Sequence, residues 1–381
     1  MLWRSDASKP VNRFESPCPL TLTNLQKIKM KKLFTFGCVA FAVASLATTA
    51  QAQSSVTLYG LIDIGLEHLT TVGATNSSLT RVNSGNMSGS RWGMRLNEAL
   101  DGGLNVVGNL ESGFDTDTGT SGQGGRLFGR VATVGLAGQF GTLVIGRDAI
   151  LLNQFVFAYD PMSYALYSLA SLDTKYFGRT DNTIKYVSPN ISGFTLAGLY
   201  TFGGEVAGNA KVGREYSVAA NYSSGPFGAV IVHDRTNAAA VTAANAGDNE
   251  QRTVVAGSYK MGNAKAFLGL QDLKADVSGT AGVRSKYFWG GLTYDMSSAL
   301  KLTAAVYHND IKNTKADPTV LVLGSDYFLS KRTDVYLNVA LAKNRRDGTA
   351  ASAAGVTAGA GQAPAAGTNQ TGVVVGIRHR F

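Results

Sequence analysis

The sequence predicts an all-β fold, a transmembrane antiparallel β-barrel of about sixteen strands, and three observations carry that reading. Apolar and polar residues alternate through segments of roughly ten residues, the length a tilted strand needs to cross a bilayer. Beyond Ala52 no apolar run approaches the roughly 18 residues of a membrane helix. The last segment, Thr371 to Phe381, has two faces. Val373, Val375, Ile377, His379 and Phe381 share one parity, and Gly372, Val374, Gly376, Arg378 and Arg380 share the other. A terminal strand with unpaired edges is unfavourable in lipid, so Val373, Val375, Ile377 and Phe381 read as the closing seam of the barrel.

The partner of that seam is the first strand of the exported chain. Met30, Lys31 and Lys32 precede an apolar run from Leu33 to Leu46, and Ala50-Gln51-Ala52 is a small-x-small cleavage site. Residues 30–52 therefore read as a signal peptide, with Gln53 first after cleavage. Residues 1–29, broken by Pro10, Pro17 and Pro19, read as a non-native extension outside the fold. Both cysteines, Cys18 and Cys38, fall in these segments, so disulfides and thiolate metal sites are excluded from residues 53–381. That part carries 28 basic and 24 acidic residues, too mild an excess to suggest nucleic acid.

Taken in order, Val56, Leu58, Ile62, Ile64 and Leu66 give the first strand an apolar face, while Thr57, Tyr59, Asp63 and Glu67 give it a polar one. A long polar connection is expected to about Ser90. In RWGMRL, Arg91 and Arg95 oppose Trp92, Met94 and Leu96, which predicts cations inside and an aromatic outside. The third strand sets Val106, Gly108 and Leu110 against Asn105, Asn109 and Glu111. In the fourth, Arg126 to Leu136, the register is ambiguous because Arg126 and Arg130 share parity with Val134 and Leu136. Later joins alternate between short ones, such as Gly225 to Phe227 and Met261 to Ala264, and long ones, such as 150–181 and 345–370. An even strand number puts both termini on one side, with long loops outside and short turns in the periplasm. A soluble sandwich is the competing fold, but there is no second apolar layer, and Tyr200, Tyr222, Tyr294 and Tyr307 fall near strand ends as belt residues do. About sixteen strands leave room for an aqueous channel unless something fills it.

SSVTLYGLIDIG at 54–65, SGSRWGMRL at 88–96, LESGFDTDTG at 110–119, GGRLFGRVATVGLAGQFGTLVIGRD at 124–148, DNTIKYVSPNISGF at 181–194 and the terminal GVVVGIRHRF resemble the general porins of β-proteobacteria, related to the neisserial porins. The resemblance spans nearly the whole of 53–381. It implies a homotrimer in the outer membrane of a Gram-negative bacterium, surrounded by outer-membrane lipid and lipopolysaccharide. Small hydrophilic solutes and ions would pass by passive diffusion, without a cofactor.

The connection from Ile150 to Thr180 is unusually apolar and aromatic for an external loop, holding Phe155, Phe157, Tyr159, Tyr164, Tyr167, Tyr176 and Phe177. Such a loop is expected to pack against something, over the mouth, against a second subunit or elsewhere. The resemblance implies a third loop folded into the lumen as a constriction. It also places Arg91, Arg130 and Arg179 in that constriction, with Arg95, Arg126 and Arg147 along the same wall. A narrow low-dielectric neck focuses the field of fixed charges, and guanidinium stays charged at any working pH, so anions are favoured. The other reading is that these arginines pair with Asp148, Asp160, Asp173 or Glu111. Asp160 and Asp173 balance Lys175 and Arg179 within the loop, so the anion preference is modest. The usual Pro-Glu-Phe-Gly segment is missing, with Asp160-Pro161 its nearest remnant.

An enzyme is not expected. His68, His233, His308 and His379 lie on separate strands or strand ends, and no carboxylate pair has spacing that asks for acid/base chemistry. Glycines 119–125 precede no helix pattern that would cradle phosphate. The alternatives that remain are a substrate-preferring channel and a surface adhesion or structural barrel, with the Ala/Gly/Thr-rich stretch 348–368 as a flexible external loop.

Overall fold

A computed structural model describes residues 54–239, 247–276, 278, 282–357 and 361–381. They belong to a compact unit running Ala52–Phe381. The expected extension and signal peptide, and parts of the loops near 236–250, 275–283 and 348–368, lie outside the described residues.

The first strands are β1 (Ser55–Val72), β2 (Ser77–Ser84), β3 (Arg91–Ala99), β4 (Asn105–Gly113), β5 (Val131–Gly138), β6 (Gly141–Ala149), β7 (Arg179–Val187) and β8 (Phe194–Thr201). They continue as β9 (Glu215–Ser224), β10 (Phe227–Asn237), β11 (Asn249–Met261), β12 (Ala264–Asp276), β13 (Val283–Asp295), β14 (Leu300–Ile311), β15 (Thr319–Phe328) and β16 (Thr333–Lys343). A two-residue hairpin, β17 (Arg346–Asp347) and β18 (Ala350–Ala351), precedes β19 (Gln370–Arg380). All but that hairpin form one antiparallel sheet, closed where β1 pairs with β19 from Leu61↔Arg380 to Leu69↔Gly372. Gly60 and Phe381 add a reciprocal pair of backbone hydrogen bonds, each 3.0 Å. A closed sheet satisfies every backbone edge internally, which a bilayer demands. Among the described residues no helix is long and apolar enough to cross a membrane.

The sheet has seventeen strands but sixteen wall positions. β2 pairs with the upper half of β1 and β3 with the lower half, so together they are one strand interrupted by residues 85–90. The connection expected to run unbroken to Ser90 is thus partly wall. The interruption has a cause: Asp63 on β1 accepts hydrogen bonds from the backbone N–H groups of Met87 and Ser88, 2.8 and 2.7 Å, and draws the segment inward.

Alternation sorts the two faces as expected. On β1, Leu58 and Leu66 are 62% and 53% exposed while Asp63 and Glu67 are fully buried. On β19, Val373, Val375 and Ile377 point outward and Val374 inward. The fourth-strand ambiguity disappears because β5 begins only at Val131. Arg126 and Arg130 precede it, so strand parity does not bind them, and Arg130 turns inside. Tyr307 differs from its expected belt role. It shares the inward parity of Thr303 and Asn309 and is wholly buried.

Short turns such as Gly225–Pro226 lie at one end with both ends of the barrel sheet, and the long connections lie at the other.

Candidate channel constriction

The connection between β6 and β7 folds inward as short helical turns at Leu152–Val156, Phe157–Tyr159, Leu169–Ser171 and Thr174–Phe177. Its apolar residues explain why. Leu151, Leu152, Val156, Leu169 and Tyr176 are completely buried, packed with inward wall residues such as Val232, Val254 and Val320. Burial of each such side chain contributes roughly 1.5–3 kcal/mol, enough for several to outweigh the ordering of a long loop.

Polar latches fix its position. The Tyr307 hydroxyl donates to Asp160 Oδ1 at 2.5 Å, and the backbone N–H groups of Met162 and Leu169 donate to the same carboxylate at 2.9 and 3.0 Å. Burial pushes the Asp160 carboxyl up to about 6, against the downward pull of those donors. Arg252 on β11 donates to Asp173 at 2.8 and 3.2 Å, and Gln271 on β12 donates to it at 2.8 Å. Trp289 Nε1 donates to the Tyr159 carbonyl at 2.9 Å, and the Tyr167 hydroxyl to Glu67 on β1 at 3.0 Å. The far wall also makes room: a Cβ on Gly291 would lie 2.5 Å from Pro161 Cγ.

The loop leaves a cavity of about 250 Å³ against the opposite wall, lined by Arg91, Arg130 and Arg179 on one side and by Asn153, Tyr164 and Phe177 of the loop on the other. The three arginines stand at equivalent places, at or just before the first residues of β3, β5 and β7, alternate positions in the sheet. Arg130 Nε donates to Glu111 Oε1 at 2.6 Å, and Tyr59 donates to the same carboxylate at 2.9 Å. Arg91 donates to the Gly89 carbonyl at 2.8 Å and Arg179 to the Phe177 carbonyl at 2.9 Å; neither has a carboxylate partner among the described residues. Carbonyls orient these guanidiniums without neutralising them. The buried Arg179 Nε has no hydrogen-bond partner among the described residues.

The other candidates are arranged differently. Arg126 and Arg147 share Asp181 at 2.8 and 2.6 Å, a partner sequence reasoning missed. Arg95 lies over the Tyr59 ring, 4.1 Å from its centroid. Asp148 pairs with Lys185 at 2.5 Å. Asp160 and Asp173, expected near the neck as balancing charges, do not line the arginine cavity: Asp160 accepts from Tyr307 and from the loop's own Met162 and Leu169 N–H groups and borders a second cavity, and Asp173 accepts from Arg252, Gln271 and the Lys175 N–H. Tyr164 is the loop residue that sequence reasoning left among many. It lines the arginine cavity and a second one of about 350 Å³ on the other side of the loop, and its ring sits 4.3 Å from that of Phe157.

All four histidines face outward, each hydrogen-bonded at 2.8–2.9 Å to a threonine directly across in the next strand: His68 to Thr80, His233 to Thr253, His308 to Thr319 and His379 to Thr333. That places them apart from one another and from the cavity.

A closed sixteen-stranded barrel with an apolar outer band, a polar interior and an inward loop defines a pore-forming protein of the outer membrane. The comparisons agree. Residues 39–347 match the family model described as Gram-negative porin. The chain is 33% identical to outer membrane porin protein 32 of Delftia acidovorans, covering 90% of this chain and 99% of the relative. It is 25% identical to the major outer membrane protein P.IB of Neisseria lactamica, covering 90% and 98%. The solved anion-selective porin from Comamonas acidovorans superposes with a TM-score of 0.74 at 28% identity, covering 86% of this chain and all of the other. The chain belongs to the Gram-negative porins: it is an outer-membrane barrel whose water-filled channel passes small hydrophilic solutes and ions passively. Porins are typically channels and not enzymes.

Proposed function

We propose that Arg91, Arg130 and Arg179 form the charged side of the channel's narrowest region, that Tyr164 bounds it on the loop side, and that the pore prefers anions. The observation that carries this reading is a charge imbalance inside one small cavity. Three guanidiniums line it against one lining carboxylate, Asp115; Glu111 beside it pairs with Arg130 alone, and Asp160 and Asp173 do not line it. Within low-dielectric walls, uncompensated charge raises the local concentration of anions and lowers that of cations. The fork of Arg91 or Arg179 also suits a carboxylate or phosphate passing the neck. Similarity to a porin described as anion-selective supports the same sign.

In this reading Arg126 and Arg147, shared by Asp181, contribute less, and Arg95 acts below the neck as a weaker attractor. The functional unit is a homotrimer set in outer-membrane lipid, and export removes residues 30–52.

The test is current through the refolded barrel in a planar bilayer under a potassium chloride gradient. Conductance in steps of three, with a chloride-side reversal potential that shrinks in R91Q/R130Q/R179Q, is the expected result. A cation-side potential in the unaltered protein would overturn the arginine neck, and single independent steps would overturn the trimer.

A further inference from the structure

A second group of cations stands inside the barrel, at the end where short turns join the strands. Lys260 on β11 lies directly across from Lys265 on β12, and both share the inward parity of the buried Ser258 and Phe267. Like charges in directly opposed strand positions are destabilising, so such a pair calls for compensation. The barrel supplies none. Among the described residues the lysine ion pairs belong to Lys175, Lys185, Lys274 and Lys301. Lys265 rests over the Phe267 ring, 4.8 Å from its centroid, which holds the ammonium without neutralising it.

Both lysines line a cavity of about 480 Å³ together with Lys301 on β14. Asp295, directly across from Lys301 and 3.8 Å from its ammonium, is the one carboxylate in that lining among the described residues. Three ammonium groups thus face one carboxylate. Around them stand Asn221, Ser223, Ser258, Asn263 and Thr293. Asn221 accepts from the Tyr159 hydroxyl at 2.6 Å through Oδ1, which leaves its amide N–H groups available. The cavity shares no lining residue with the arginine cavity, and the turns at Gly225–Pro226 and Gly262–Asn263 put it at the periplasmic mouth.

We propose that this chamber is a binding site for phosphorylated sugars, the phosphate monoester on Lys260, Lys265 and Lys301 and the hydroxylated ring on the amide and hydroxyl side chains around them. Charge complementarity selects the first part. A phosphate monoester carries about −1.5 to −2 at neutral pH, which matches the excess of positive charge, whereas a monocarboxylate leaves part of it uncompensated. Spare hydrogen-bonding groups select the second part. Polar side chains that surround a cavity favour a solute bringing its own donors and acceptors, and Asp295 is placed to accept from a hydroxyl. The site rests on the open channel and not on the arginine neck. A solute that has passed the neck pauses here before entering the periplasm, and one arriving from the periplasm meets this site first.

The test is current through the refolded barrel in a planar bilayer, with glucose 6-phosphate, glucose or inorganic phosphate added to one side at a time. The periplasmic side is marked by K331C, which a thiol reagent too bulky for the pore reaches from there alone. From that side glucose 6-phosphate is expected to interrupt the current at concentrations about tenfold lower than inorganic phosphate, and glucose to leave it uninterrupted. The concentration required should rise about tenfold in K260Q/K265Q, by about threefold in K265Q, and stay near the parent's in K260R/K265R. N263A/T293A should weaken glucose 6-phosphate and leave inorganic phosphate as it was. In R91Q/R130Q/R179Q the interruption from the periplasmic side should persist, which separates this chamber from the neck. Open channels in potassium chloride alone report that each variant has folded. Undiminished interruption in both lysine-to-glutamine variants, equal potency of inorganic phosphate, or loss of the effect in the arginine variant alone would each overturn the proposal.

Discussion

Arg130, which lines the arginine cavity, stands 2.6 Å from Glu111, so one of the three guanidiniums is already neutralised. Removing that carboxylate should release charge into the neck. E111Q is expected to raise the chloride-to-potassium permeability ratio on the order of twofold, read from the reversal potential in a salt gradient. A lower ratio would mean that Glu111 does not oppose the arginines electrostatically.

Tyr164 faces both cavities from the loop. Truncation in Y164A should widen the passage without changing its charge. Conductance should rise while the ion preference stays nearly constant, a combination that separates a steric from an electrostatic contribution.

The Asp160 latch should depend on pH. Burial raises its carboxyl from 3.8 to about 6, which places the protonated form in favour within the folded protein. A raised carboxyl pKa gives stability that is fully present below 3.8 and is lost as pH rises through 6. The difference amounts to about 3 kcal/mol. Thermal unfolding of the refolded barrel between pH 3.5 and 7 should show this slope, and D160N should flatten it.

Arg252 and Asp173 are each about 6% exposed and paired. D173A removes one of Arg252's two carboxylate partners and leaves Glu250 at 2.7 Å, so a loss of about 1.5–3 kcal/mol is expected in the loop's docking. Noisier single-channel current, partly calmed in D173A/R252M, would report it.

Two glycines offer a packing comparison. G291A places a methyl 2.5 Å from Pro161 Cγ and 2.4 Å from the Ala304 carbonyl, whereas a methyl at Gly198 meets nothing within 4 Å. G291A is expected to cost about 1–3 kcal/mol and to displace the loop. G198A should melt like the parent.

Parity made most of the wall legible. The seam of β1 and β19 follows from one alternating segment at each end, since the side-chain period of two fixes which residues meet lipid. Tyr307 was readable by the same rule, because it shares parity with Thr303 and Asn309, but proximity to a strand end suggested a belt. The break between β2 and β3 carries no local signal strong enough to announce it; its cause is Asp63, a carboxylate two strands' worth of sequence away. The ion pairs were the least legible part. Asp181 with Arg126 and Arg147, and Asp173 with Arg252, join residues 34 to 79 positions apart, and which acid meets which base depends on how the loop lies.

The inward loop reaches β1, β11, β12, β13 and β14 through separate side chains. A hydrogen-bonded cylinder with an empty middle is soft to ovalisation, because small hinge motions at every strand pair add up. A strut fastened at several points around the circumference resists that mode. Lateral pressure in the bilayer should therefore leave the bore nearly unchanged while the latches hold, and begin to modulate it once they are cut.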